Sequence, residues 1–208
     1  MADLTNETLQ NKYFLRKLIG NGATADVYLA WDKPRNAELA VKVLHQELAN
    51  DSNFLRMFKK ESEFMRDLRH PNIVRLYDFG QDKKAGKKTV FIVMEYIKGM
   101  DLHRLLNELG RPLSLFDTSQ VLAGVSKALH FAHQSEVLHC DVKSANILIA
   151  QNDTGHIGER DVFITDFGVS RWALEQKRGG TPAYMAPELF QGGSVTEQTD
   201  IYALGITL

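Results

Sequence analysis

Leu138-His139-Cys140-Asp141-Val142-Lys143-Ser144-Ala145-Asn146 sets four polar side chains, His139, Asp141, Lys143 and Asn146, between the apolar pairs Val137-Leu138 and Ile147-Leu148. The flanks read as short strands, Val137-Leu138 and Ile147 to Ala150, so the polar residues fall on the loop between them. Asp141 can accept the proton of a hydroxyl, and Lys143 can stabilise charge on a transferring phosphoryl group. Asn146 can offer an oxygen to magnesium, which prefers hard oxygen ligands. Further on, Val162 to Thr165 reads as another short strand, and Asp166-Phe167-Gly168 follows it. Alone, such a tripeptide is a turn. Its order and spacing after Asn146 make Asp166 the second candidate metal ligand.

Towards the N-terminus, Asp117 to Gln134 carries Val121, Leu122, Val125, Leu129 and Ala132 at helical spacing, with Ser114 or Asp117 as its cap. Before Gly99 the chain reads mainly as strands: Tyr13 to Ile19, Ala25 to Trp31, Glu38 to Leu44, Ile73 to Phe79 and Val90 to Tyr96. Asp32 to Asn36 has turn composition, and the lysine-rich Asp82 to Lys88 reads as a solvated turn. A helix from Asn53 to Leu68 interrupts the strands, with Phe54, Met57, Phe58, Glu61, Met65 and Leu68 at three- and four-residue steps. His70-Pro71-Asn72 stops it, because a residue before proline is pushed out of the helical region.

Two features of the strand-rich part carry chemistry. Gly20-Asn21-Gly22-Ala23-Thr24-Ala25-Asp26-Val27 lies between two strands, where glycine lets backbone N–H groups approach phosphate oxygens. No helix follows, which argues against a dinucleotide fold. Leu39-Ala40-Val41-Lys42 places a lysine in an apolar strand, and Glu61 on the next helix is its natural counter-ion. Together they could hold the ammonium group against the α- and β-phosphates of ATP. A β-rich lobe followed by a mainly helical lobe is an α+β arrangement, with Glu95 to Gly99 as the hinge.

Composition sets outer bounds. Of 208 residues, 44% are hydrophobic and 25% charged, and the net charge is -1, so no nucleic-acid footprint is expected. One cysteine, Cys140, excludes an intramolecular disulfide and a cysteine-rich zinc site, and favours a reducing cytoplasmic location. Met1 to Gln10 lacks the apolar core of a signal peptide, and no apolar run is long enough to span a bilayer. Membrane association is expected only from a segment beyond Leu208.

Taken in order, the glycine loop, the lysine strand, the helix glutamate, the His-x-Asp loop, Asp-Phe-Gly and Ala186-Pro187-Glu188 resemble the eukaryotic-type protein kinase family. The resemblance implies a bilobal fold over 13–208, with an N-lobe at about 13–97, a hinge at 95–99, a C-lobe from 100 and an N-terminal extension at 1–12. It implies ATP and Mg2+ as cofactors and a protein substrate with a Ser or Thr acceptor. Lys143 and the Gly180 to Glu188 segment are similar to the serine/threonine type. By the same resemblance Asp141, Lys143, Lys42 and Glu61 are catalytic, and Asn146 and Asp166 hold the metal. Gly20, Asn21, Gly22 and Ala23 cover the phosphates. Val27, Ala40 and Leu148 flank the adenine, Met94 stands at its back, and Glu95 and Ile97 offer it backbone groups. Asp101 meets the ribose. Met65, Leu76, Phe167 and His139 form an apolar column, His130 and His133 pack the helix, and Asp200 hydrogen-bonds the catalytic-loop backbone.

The chain departs from the family pattern at three points. Ala25 replaces the third glycine, and a methyl group there implies a slightly stiffer loop. Cys140 stands where many regulated members have a phosphate-gripping arginine, and Trp172 to Gly180 contains no Ser, Thr or Tyr. Activation without loop phosphorylation is therefore expected, with Cys140 as an apolar filler or, alternatively, a redox site. Leu208 falls inside the family's central helix, so the C-lobe is expected to be incomplete, with Glu188 short of its arginine partner and Ile201, Leu204, Ile206 and Leu208 facing water. Two other readings stay open: a nucleotide-binding pseudokinase or scaffold, and a small-molecule phosphotransferase on a related fold.

Overall fold

The structure, a computed structural model, describes residues 3–84, 86–167 and 182–208. The expectations that fall on Gly168, Ser170 and Trp172 to Thr181 lie outside the described residues. The chain divides into two compact units, Met1–Asp67 with Arg75–Tyr96, and Leu68–Val74 with Ile97–Leu208.

The first unit is built on a six-stranded antiparallel sheet. Its strands are β1 (Thr8–Leu9), β2 (Tyr13–Asn21), β3 (Ala25–Asp32), β4 (Ala37–Leu44), β5 (Leu76–Lys84) and β6 (Lys87–Glu95), in the order β1-β2-β3-β4-β6-β5. Two helices, α1 (Gln46–Ala49) and α2 (Ser52–Asp67), sit between β4 and β5 in sequence. Side chains alternate across a strand, so one face collects Tyr28, Ala30, Leu39, Val41, Val43, Phe91 and Val93 into a buried cluster. Leu4 and Leu9 join that cluster, and Leu4 N donates to Tyr28 Oη at 3.2 Å. The N-terminal stretch thus contributes to the core despite its polar composition. Helix α2 reaches the sheet through Phe58, which stacks on Phe54 and meets Phe79 of β5 edge-on with ring centres 5.8 Å apart.

The second unit contains β7 (Gly99–Asp101), α3 (Leu102–Leu109), α4 (Leu115–Gln134), β8 (Ile147–Ala150), β9 (Val162–Ile164), α5 (Pro187–Phe190) and α6 (Glu197–Thr207). Its small sheet runs β7-β8-β9, antiparallel throughout. Helix α4 buries Val121, Gly124, Val125, Ala128, Leu129 and Ala132 and packs on β9. Ser114 caps it, its Oγ accepting from Asp117 N at 3.0 Å, while Asp117 accepts from Ile157 N. A glycine is required at position 99, where a Cβ would lie 2.0 Å from the Ile149 carbonyl oxygen.

Several sequence expectations need correction. Val137-Leu138 is not a strand. The chain leaves α4 through a turn in which Val137 N donates to Ala132 O, and the backbone N–H groups of His139 and Cys140 go to a side chain. Asp82 to Lys88 is mostly strand, with Lys83 opposite Lys88 and Lys84 opposite Lys87. A ladder is made by backbone groups, so solvated lysines do not end it. The run Ile73 to Phe79 serves two sheets: Ile73 bridges to Ile164, whereas β5 begins at Leu76. Leu122 is 45% exposed. It lies about 100° round the helix from Val121, at the margin of the buried stripe. Ile201, Ile206 and Leu208 are exposed, but Leu204 is buried.

Candidate active site

In the first unit, register gathers the predicted nucleotide residues on the sheet face opposite the core. Val27 is the cross-strand partner of Lys42, and Ala40 is the partner of Met94. Residues in register share a face, and Ala40 and Lys42 are two apart on β4, so all four lie together. Ala40 and Lys42 are buried, while Val27 and Met94 are half-buried. Gly20 and Asn21 end β2 opposite Val27 and Asp26, and Gly22 N donates to Ala25 O at 3.0 Å to close the turn that holds Ala23. Glu61 is half-buried on α2. Glu95 donates its N–H to Arg75 O at 2.8 Å, leaving its carbonyl as the group it could offer a ligand.

In the second unit, the loop that opened the sequence reading becomes a connected polar cluster. Lys143 Nζ lies 2.7 Å from Asp141 Oδ2. Asn146 Nδ2 donates to the Asp141 carbonyl at 2.8 Å and to Asp141 Oδ2 at 3.0 Å. With its amide nitrogen so engaged, Asn146 presents its side-chain oxygen as the acceptor. The short helical turn Ser144–Asn146 fixes the spacing, and Thr165 N donates to Asn146 O at 3.0 Å. Pairing of Ile147 with Ile164 brings Asn146 and Asp166 to the same end of the β8–β9 ladder. Asp166 and Cys140 both adopt left-handed backbone, with φ of 67°. Such residues cost ~1–3 kcal/mol each and persist where surroundings over-determine them.

The surroundings of Cys140 do so through Asp200. This carboxylate is 1% exposed. Its Oδ2 accepts from His139 N at 2.8 Å and from His133 Nε2 at 2.9 Å, and its Oδ1 accepts from Cys140 N at 2.8 Å. Burial pushes the Asp200 carboxyl up, but the His133 hydrogen bond, the nearby His139 and the two backbone N–H groups outweigh it and hold the carboxyl below its ordinary value. His139 is fully buried, with Nε2 facing Thr165 O at 2.9 Å and Nδ1 accepting from Asp141 N at 3.2 Å. Its ring also lies 4.5 Å from that of Phe167. His139 is therefore structural, as the sequence implied. His133 does more than pack: it is the side-chain donor to Asp200. The sequence signal was its position four residues after Leu129, at the end of the apolar stripe.

Leu148 and Asp101 are cross-strand partners on β8 and β7. Asp101 is also the N-cap of α3, with Oδ1 accepting from Arg104 N at 2.8 Å. Ile97 is half-buried at the start of this part of the chain. Beside Asp141, Cys140, Tyr184, Met185 and Leu189 line a small cavity.

The protein kinase domain family matches residues 13–208. The chain is 36% identical over 211 residues to the serine/threonine-protein kinase PrkC of Bacillus subtilis, covering 99% of this chain and 31% of that protein. It is 34% identical over 212 residues to the serine/threonine-protein kinase PknB of Mycobacterium tuberculosis, covering 98% and 33% respectively. The chain thus spans about a third of the length of these relatives. Among solved structures, the kinase domain of Mycobacterium tuberculosis PknI superposes with a TM-score of 0.78 at 29% identity, over 99% of this chain and 74% of that one.

Proposed function

The chain belongs to the protein kinase domain family, and from that premise we propose that the full-length protein transfers the γ-phosphoryl group of ATP to serine and threonine hydroxyls of protein substrates. The observation that carries this reading is the cluster of Asp141, Lys143 and Asn146, joined by contacts of 2.7 and 3.0 Å. Asp141 orients the acceptor hydroxyl and takes its proton. Lys143, already against that carboxylate, offsets charge on the group in transfer.

On the strand-rich unit, Lys42 with Glu61 holds the α- and β-phosphates under the turn from Gly20 to Ala23. Val27 and Ala40 are the proposed adenine contacts of that unit, with Met94 behind them and the Glu95 backbone as an edge group; in the second unit the family resemblance assigns Leu148 and the Ile97 backbone to the adenine and Asp101 to the ribose. Asn146 and Asp166 fit magnesium because both offer hard oxygen donors, and the Asn146 amide is oriented by its bonds to Asp141. When bound, the ion would neutralise phosphate charge. Among the described residues no group of three His, Cys, Asp or Glu side chains converges. No described helix is long and apolar enough to cross a membrane. A reducing cytoplasm, which the single thiol favours, is the proposed location.

The test is transfer of label from γ-labelled ATP to a generic protein substrate by the full-length protein, with acid hydrolysis to identify phosphoserine and phosphothreonine. ATP binding without transfer would instead establish a nucleotide-binding scaffold. Label on small molecules alone would establish the phosphotransferase alternative.

A further inference from the structure

The turn between β2 and β3 is exposed from Asn21 to Thr24, then buries Ala25 and Asp26. Asp26 is only 5% exposed, and a buried carboxylate has to be matched by donors. Asn21, its cross-strand partner, donates Nδ2 to Asp26 Oδ1 at 2.6 Å. The same oxygen faces His45 Nε2 at 3.2 Å. The other ring nitrogen, His45 Nδ1, faces the Ala23 carbonyl at the tip of the turn, also at 3.2 Å. The backbone N–H of His45 donates to Thr24 O at 2.9 Å. One residue, immediately after β4, therefore touches the turn through its backbone and Nδ1 and the start of β3 through Nε2.

Both ring nitrogens face acceptors, a carbonyl on one side and a carboxylate on the other. A neutral imidazole has one N–H and can serve only one of them. An imidazolium has two and serves both.

We propose that His45 is a positioning residue whose ring straps the glycine-rich turn to the end of β4, bridging Ala23 O and Asp26, and so presets the turn for nucleotide phosphates. The presetting role rests on the kinase reading, whereas the strap itself does not. The charged group facing the ring is Asp26, on β3. On α1, Glu47 is exposed, and β6 meets that helix through the Lys88 carbonyl, which accepts from Gln46 Nε2 at 2.9 Å. Asp51, between α1 and α2, is engaged with Asn53 N and Phe54 N.

The experiment uses the full-length protein and its variants His45→Ala, His45→Gln and Asp26→Asn, in two arms. The first requires no catalysis. It follows the His45 ring nitrogens by NMR and amide hydrogen exchange from Gly22 to Thr24 in nucleotide-free protein. The ring-nitrogen signal that reports the contact with Asp26 should change in Asp26→Asn, and exchange in the turn should speed up roughly threefold or more in His45→Ala. The second arm measures kcat and KM for magnesium-ATP. His45→Ala should raise KM roughly fivefold with kcat within about twofold. His45→Gln, which can donate to one acceptor, should lie between them. Unchanged exchange in His45→Ala together with unchanged ring-nitrogen signals in Asp26→Asn would overturn the strap. A positive first arm with an unchanged KM in His45→Ala would overturn the presetting role alone. Absence of transfer in every form, wild type included, would sink the kinase reading and leave the strap to be judged by the first arm.

Discussion

Asp200 shows how much one buried carboxylate can organise. It holds the backbone of His139 and Cys140 and is itself held by His133, so the residue before Asp141 is pinned in left-handed backbone. Asp141→Asn should lower phosphoryl transfer by about 10²–10⁴ while leaving ATP affinity nearly unchanged, since Asp141 addresses the acceptor hydroxyl. Parallel turnover and nucleotide-binding titrations check this, and near wild-type turnover would remove Asp141 from the mechanism. Asp200→Asn should destabilise the fold by ~1–3 kcal/mol near neutrality, because one of the N–H donors then meets an amide NH2. The carboxyl is held low in the folded state, so its stabilisation is complete above the ordinary carboxylate value and is lost as pH falls below it. The stability gap between wild type and Asp200→Asn should accordingly narrow below pH ~4, as denaturant titrations at several pH values would reveal. Asp141, Lys143, Asn146 and Asp166 were legible in the sequence because their chemistry is local and their spacing characteristic. The His133 donor to Asp200 and the pairing of His45 with Asp26 were not, because they join residues 67 and 19 positions apart.

At the scale of elements, the long strands and helices were legible from their periods, with ends shifted by a few residues. Two- and three-residue strands such as β1 and β7 carry no period to read. Their existence depends on a partner strand, and β7 also depends on Gly99. A Cβ at that position would meet the Ile149 carbonyl oxygen at 2.0 Å and Ala150 Cα at 2.9 Å, both backbone atoms that cannot rotate away. Gly99→Ala should therefore push β7 off β8 and disturb Asp101 and Leu148, which are paired there. A thermal shift downwards with a raised KM for ATP is expected. Substitution at Gly110 supplies the contrast, since nothing lies within 4 Å of a Cβ there and its cost comes from its left-handed φ of 61° alone.

For the whole molecule, nucleotide binding should be readable as stability. A ligand that binds only the folded state adds RT ln(1 + [L]/Kd), about 2.7 kcal/mol at a hundredfold excess over Kd. Magnesium-ATP should therefore raise the unfolding temperature, and excess EDTA should reverse most of the gain if Asn146 and Asp166 act through the metal. An unchanged melting curve in saturating magnesium-ATP would count against nucleotide binding altogether. The tie between His139 and Asp200 also has a bearing on how the chain is made. The two lie 61 residues apart, and a ribosome adding about 5–20 residues per second needs roughly 3–12 s to cover that interval. Throughout it, the nascent chain carries Asp141 and Lys143 without the carboxylate that shapes their loop. A stalled translation product ending short of Asp200 should thus emerge with the residues proposed for phosphoryl transfer complete in sequence and idle in practice, so that the proposed activity would arrive late in synthesis.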